Sequence, residues 1–281
     1  MARTDALSLL TEAGATGKLA ELYRGVIENV QASTISNILK SSNYSGTPTA
    51  GSVVFKRFVN SASAAYGTAR AAGEGDAIKR LETTINVDQD KEIVEEIAKK
   101  DLSLDGVTDI LTRRQKNHIM SMKRELERAF FTEAYNEGTF ATATNTDIED
   151  KVEAVIVELE TLENDYVDGI DRDMITVVLS TSIYSSLRNA IDNKYNANIN
   201  TAAGEVGQFH GVPVFKSHYL PTGADFIVFG PETVGQPVLS DTYDVEKIPL
   251  SNDFAIELFY SYGTKALAGD MIFYAGTEYS G

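Results

Sequence analysis

The chain of 281 residues carries 25 Lys and Arg against 41 Asp and Glu, a formal charge of −16, and 43% of it is hydrophobic. That apolar supply supports a sizeable core, while the acidity argues against whole-surface attraction to nucleic acid or to an anionic membrane. With no Cys and no Trp, disulfides, thiolate zinc sites and cysteine nucleophiles are excluded.

The N-terminus, MARTDALSLLTEAGA, offers the apolar run Leu7, Leu9 and Leu10, interrupted by Ser8. A secretory signal needs about 7–15 apolar residues and a membrane span about 18, so the expectation is a soluble chain made inside the cell. Leu19, Leu22, Val26, Val30, Ile35, Ile38 and Leu39 step by threes and fours, which predicts an N-terminal arm containing helix. SSNYSGTPTAG, residues 41–51, reads as a loop.

SVVFKRFV is β-branched and aromatic, and RLETTINVD alternates Leu81, Thr83, Ile85 and Val87 with polar residues. Both read as strands. Between them lie roughly fifteen residues of mostly Ala, Gly, Ser and Thr, more than a compact domain ordinarily leaves without structure. Two strands joined this way form a long ribbon, and an isolated hairpin is marginal in water. Such a ribbon needs something else to lie on.

DKEIVEEIAKKDL is a charged strand or helix. From Thr108 to about Asn136 the pattern is helical, with Ile110, Leu111, His118, Ile119, Met122, Leu126, Ala129 and Phe130 on one face and Gly138 as a C′ stop. Its length is roughly 40 Å. A second helix carries Ile148, Val152, Val155, Leu159 and Leu162. The strand MITVVLS follows, then a helix with Ile183, Leu187, Ala190 and Ile191, capped by Thr181 or Ser182. Gly204, Gly207, Gly211, Pro213 and Pro221 punctuate the next stretch, DFIVFGP reads as a strand, and Phe254, Ile256, Leu258 and Tyr260 share one face of another. There is no internal repeat. The fold class is α+β.

Motifs for chemistry are sparse. Gly14 and Gly17-Lys18 fail the P-loop pattern, with Glu12 and Leu19 at required positions. Gly73 and Gly75 begin a dinucleotide fingerprint, but Ile78 replaces its third glycine. Asp165, Asp168, Asp171 and Asp173 crowd one turn without EF-hand spacing; a solvated turn is the simpler reading beside an ion site. His118 reads as a packed core histidine. His210 and His218 would lie about 26 Å apart on a straight strand, too far to share a metal. No G-x-S-x-G elbow occurs. No catalytic, cofactor-binding or metal-binding residue is assigned. A basic stretch with Arg113, Arg114, Lys116, Lys123, Arg124 and Arg128 is either a solvated face partnered by Glu125 and Glu127 or a loose phosphate contact.

GQFHGVPVFKSHYLP, from Gly207 to Pro221, followed by Phe229-Gly230-Pro231, resembles a recurrent pattern of tailed-bacteriophage major capsid proteins, whose fold is shared with encapsulins and the herpesvirus capsid floor. In that pattern a Gly-x-Pro-Val strand leads to a Ser and an apolar-Pro turn before the next strand. The order of arm, ribbon, spine helix and α/β lobe is similar over nearly the whole chain. The resemblance implies an N-terminal arm over 1–45 and an extended loop over 46–87. It also implies a peripheral domain over 88–140 with the spine helix and the C-terminal strands of 241–281, and an axial α/β domain over 141–240.

By the same resemblance, the ribbon lies on a neighbouring subunit through Lys56, Phe58, Tyr66, Arg70 and Arg80. Arg113, Lys116, Arg124 and Arg128 form an inner-face stripe in loose, non-specific contact with packaged DNA. Copies assemble as hexamers and pentamers into an icosahedral shell, with a portal protein, a separate scaffolding protein and decoration proteins as partners, and no membrane. The shell is a virion capsid assembled in the host cytoplasm, it needs no cofactor, and Lys56 is not expected to form the Lys–Asn cross-link of some members. The alternatives are an encapsulin-type compartment and, in another class, a hydrolase or metal enzyme with an acidic site near Asp165–Asp173 and residues 60–76 as its lid.

Overall fold

The computed structural model describes residues 29–30, 34–48, 51–61, 63, 65–72, 77–97, 107–194, 207–240, 244–247, 251 and 253–279. In chain order the first elements are α1 (Ile35–Leu39), β1 (Lys40–Ser41), β2 (Tyr44–Ser45), β3 (Ser52–Phe58), α2 (Thr68–Ala72), β4 (Arg80–Asn86) and β5 (Gln89–Ile97). The long helix α3 (Val107–Glu137), β6 (Thr139–Phe140), α4 (Ile148–Glu160), β7 (Thr176–Ser180) and α5 (Thr181–Lys194) follow. The last are β8 (Gln208–Phe209), β9 (Val212–Ser217), β10 (Ala224–Phe229), β11 (Val234–Gly235), β12 (Val238–Ser240), β13 (Asp244–Lys247), β14 (Phe254–Tyr262), β15 (Lys265–Ala266) and β16 (Ile272–Gly276). The mixed helix and strand content matches the expected α+β class. Most of the N-terminal arm lies outside the described residues.

Helix α3 spans about 46 Å and joins two sheets. Its middle buries Met122 and Leu126 against Leu258, Tyr260 and Tyr262 of β14. Its C-terminal third buries Phe130, Phe131, Ala134 and Tyr135 against Val178, Ile227, Phe229, Ile272 and Tyr274. The side chains of Ile110 and Leu111 lie outside the described set. Gly138 ends the helix without a left-handed φ. Its lack of a side chain is needed because a Cβ would fall 2.5 Å from the Ala134 carbonyl and 3.0 Å from Ile272, so close packing replaces the αL cap predicted for it.

The six-stranded sheet runs β6-β16-β10-β7-β9-β8, and the two-residue period of its strands separates two faces. Val178, Ile227 and Phe229 face α3; Val177, Leu179, Phe226 and Val228 pack under Val152, Val155, Ile156 and Leu159 of α4 and Leu187 of α5. Residue Ser180, one position before the expected caps, starts α5: its Oγ accepts the Ile183 N–H at 3.5 Å. A second sheet pairs β14 along its whole length with β5, from Phe254↔Ile97 to Tyr262↔Gln89, so DKEIVEEI, the described part of DKEIVEEIAKKDL, is strand. The C-terminal strands, grouped together in the sequence reading, divide between sheets: β14 pairs with β5, whereas β16 pairs with β10. No described helix is long and apolar enough to cross a membrane.

Candidate functional site

Strands β3 and β4 form the ribbon, in register from Ser52↔Asn86 to Phe58↔Arg80, with β2 adding Tyr44↔Phe55. Its root is apolar. Val53, Phe55 and Ile85 are buried together beside Leu267. Two glycines shape the seat beneath them. A Cβ on Gly235 would lie 2.5 Å from Ile85 Cδ1 and 3.0 Å from the Phe55 ring, and one on Gly263 would lie 1.9 Å from the Asn86 carbonyl oxygen.

Above the root the ribbon is clamped by polar contacts from two distant segments. The Arg57 guanidinium donates to both Asp270 oxygens, at 2.6 and 2.8 Å, with its Nη2 3.3 Å from Met271 Sδ. It also sits 4.4 Å above the centre of the Tyr166 ring. Asn164 Nδ2 donates to Asp270 at 2.7 Å, and the Asn60 N–H donates to the Asp165 carbonyl at 2.9 Å. Burial pushes the Asp270 carboxyl up, but its hydrogen bonds and attraction to Arg57, with the Asn164 amide, outweigh burial and hold it below the usual carboxylate range. Asn164 also shapes the turn, its Oδ1 accepting the N–H groups of Tyr166 and Val167.

The structure thus gives the acidic turn a mount's role in the chain: Asp165 contributes its carbonyl to Asn60, and the Asp168, Asp171 and Asp173 residues are exposed. Among the described residues no group of three His, Asp or Glu is placed to hold a metal. Arg57 is the residue the sequence reading passed over. The signal was available, because alternation puts Arg57 on the face of Val53 and Phe55, and an inward-facing charge requires a partner.

Of the predicted interface residues, Lys56 stands between Phe55 and Arg57, and Phe58 and Arg80 close the paired strands. Lys56 and Arg80 are exposed, Arg80 pairing with Glu82 at 2.8 Å. Phe58 is 53% exposed, Tyr66 95% and Ile78 84%. Arg70 falls on α2, its side chain outside the described set. The stretch read as unstructured therefore contains one short helix, anchored by the Thr68 hydroxyl donating to the Ala65 carbonyl at 2.7 Å.

On α3, the predicted stripe residues Arg113, Lys116, Arg124 and Arg128 are all exposed. The partners expected for the basic stretch feel it, Glu125 through Arg128 and Glu127 through Lys123, but make their direct contacts with other groups. Glu125 holds Lys91 at 3.0 Å and accepts the Tyr262 hydroxyl at 3.0 Å. Glu127 is buried and accepts the Ile35 N–H of α1 at 2.7 Å. Arg114 pairs with Glu95 of β5. His118 is a core histidine, fully buried, with Nε2 3.1 Å from Glu95; burial and then Arg114 push its pKa down. His210 and His218 are both exposed, and His210 Nδ1 lies 3.0 Å from Glu153, beside the Arg172 guanidinium that bridges Glu153 and Glu160.

No protein-family model and no curated protein matches the sequence. Solved structures do match. A structure from Mycobacterium phage Che8 is 20% identical, with 80% of this chain and 84% of that one covered at a TM-score of 0.60. The capsid of cyanophage P-SCSP1u is 17% identical, with 84% and 85% covered at a TM-score of 0.60. The chain has a phage-capsid fold. A virus-like particle from Pyrococcus furiosus extends the likeness at 12% identity, 92% and 99% covered, and a TM-score of 0.55. Within this fold α3 is the strut to which the six-stranded sheet and the β14 sheet are both fastened.

Proposed function

We propose that the chain is the major capsid protein of a tailed double-stranded DNA phage, a structural subunit that assembles as hexamers and pentamers into a closed icosahedral shell. The observation that carries this reading is a ribbon seated at its apolar root and clamped at Arg57 while its outer half presents exposed apolar side chains, on a fold similar to the P-SCSP1u capsid over 84% of this chain. Phe58, Ile78 and Leu81 are exposed on the ribbon. Each apolar side chain of this size contributes about 1.5–3 kcal/mol when it is fully buried. Repeated at every subunit, that burial drives closure of a ring or shell through head-to-tail contacts.

In this reading Lys56, Phe58, Tyr66, Arg70 and Arg80 belong to the surface laid on a neighbour, and Arg113, Lys116, Arg124 and Arg128 face the interior as a loose phosphate contact. A portal, a separate scaffolding protein and decoration proteins are partners, assembly takes place in the host cytoplasm, and no residue has a catalytic role. An acidic subunit suits a container whose DNA must later leave.

The test is light scattering with electron microscopy on the purified chain, alone and with its scaffolding protein. Closed megadalton shells are expected, and replacing Phe58 and Ile78 together by Ser should abolish them while leaving the monomer folded. Shells that form with the chain but retain a co-expressed enzyme, and never DNA, would move the reading to an encapsulin-type compartment. A chain that stays monomeric with every candidate scaffold refutes it.

A further inference from the structure

We propose that the Arg57–Asp270 clamp is the pivot that aims the ribbon, so that Asp270 is a positioning residue for engagement of a second copy of this chain. The aiming role rests on the capsid reading; the holding role does not. The argument begins with what Asp270 is attached to. It sits in a 3-10 turn, Gly269–Met271, and Gly269 is pressed against the end of α3: a Cβ there would lie 2.4 Å from the Glu137 carbonyl oxygen. The carboxylate is therefore set by the C-terminus of the spine helix. Asn164, its second partner at 2.7 Å, lies just beyond α4 in a turn that also grips the ribbon through the Asp165 carbonyl. One carboxylate thus connects the spine, the α4 lobe and β3.

The geometry of the contact is directional. A guanidinium bound through two nitrogens to two carboxylate oxygens fixes orientation as well as distance, and the Tyr166 ring at 4.4 Å closes the third side. The apolar root and its glycine slots fix the ribbon near Val53 and Ile85, and apolar contact is not itself directional, so direction at the outer end of β3 falls to the Arg57 fork. Arg57 is next to last of the seven residue pairs of the ribbon, with only Phe58↔Arg80 beyond it, so the clamp sets the direction in which the chain leaves the paired strands toward the exposed Tyr66 and Ile78.

The test uses Arg57→Lys, which keeps the charge and loses the fork, Asp270→Asn, and the double exchange Arg57→Asp with Asp270→Arg. The first readout is hydrogen exchange of the unassembled chain at the Asn60 amide, which donates across the clamp. Both single variants should exchange there about tenfold faster or more, with melting within about 4 °C of wild type, and the double exchange should recover part of the protection. The second readout is the diameter distribution of assembled particles, which should broaden in the single variants and narrow again in the double exchange. Unchanged exchange at Asn60 overturns the holding role. Faster exchange with particles of wild-type diameter overturns the aiming role alone. A wild-type chain that never assembles overturns the capsid reading and the aiming role with it, while the exchange measurement still decides whether the clamp holds the ribbon.

Discussion

Gly263→Ala is the sharpest probe of how the ribbon is seated. The added Cβ would stand 1.9 Å from the Asn86 carbonyl oxygen and 2.9 Å from its carbon, whereas ordinary contact begins at 3.4 Å, so the two must part by 3.4 − 1.9 = 1.5 Å. Both sides of this contact are backbone, and no side-chain rotation relieves it. Asn86 closes β4 opposite Ser52, so a displaced Asn86 carries both ribbon strands with it. The apolar root resists that movement, because Val53, Phe55 and Ile85 are buried in the same seat. The strain is therefore borne and not escaped.

Overpacking of this kind costs about 1–3 kcal/mol. Taking about 2 kcal/mol, with a urea slope of about 2–3 kcal/mol/M, the unfolding midpoint should fall by about 0.7–1 M. The control is Gly207→Ala, where nothing lies within 4 Å of the added Cβ; it should be neutral, or stabilising by about 0.4–1 kcal/mol through the unfolded chain. Hydrogen exchange should localise the Gly263→Ala effect to residues 52–58 and 80–86. If the two alanine variants unfold at the same urea concentration, the seat is not a rigid backbone contact and the reasoning fails.

Phe130 is fully buried, edge-on to Phe131 at 5.6 Å and 5.8 Å from Phe229, so Phe130→Ala should cost about 3–5 kcal/mol in denaturant unfolding, while Phe58→Ala on the exposed ribbon should change the unassembled chain by no more than about 0.5 kcal/mol; comparable costs would refute the division between body and outer ribbon. Burial raises the Glu127 pKa more than the Ile35 N–H and Lys123 lower it, so the native chain binds the proton more readily than the unfolded one, and the charged form becomes a growing cost as pH rises from the unfolded value through the raised native value. Glu127→Gln keeps an oxygen for the Ile35 N–H without the charge: it should match or exceed wild type at pH 7, with its advantage shrinking as pH falls to the ordinary Glu range, and a variant less stable at pH 7 would show that the charge itself is needed.

Legibility in the sequence followed the range of the forces involved. The period of α3 was readable because Met122, Leu126 and Phe130 repeat along one face whatever lies opposite. The ribbon strands were readable from Val53, Phe55 and Ile85 for the same reason. What α3 packs against was not readable, since one half meets β14 and the other half β10 and β16. Glu125 and Glu127 illustrate the failure. Helical spacing offered Lys and Arg neighbours for both, and Arg128 and Lys123 do act on them, yet the direct contacts are Lys91 and Tyr262 for one and the N–H of Ile35 for the other. Helical ion pairs are worth only about 0.2–0.5 kcal/mol, and satisfying a buried helix end outweighs them. Asp270 gave no local signal at all, because its partner Arg57 is 213 residues away.

The distribution of contacts along the ribbon also bears on the proposed choice of a shell subunit over a lidded enzyme. A lid closes its apolar face over the chemistry it protects, and it opens by a hinge near its base. Here the paired strands are held at both ends, by two glycine slots at the root and by Arg57 and Asn60 at the outer end of β3. At that outer end Phe58, Ile78 and Leu81 remain exposed. The space between Val59–Ser61 and the acidic turn is an open cleft of about 1150 Å³, not a closed chamber. In the proposed reading the exposed apolar side chains finish their packing on another molecule, so their burial in a particle is the quantity to measure.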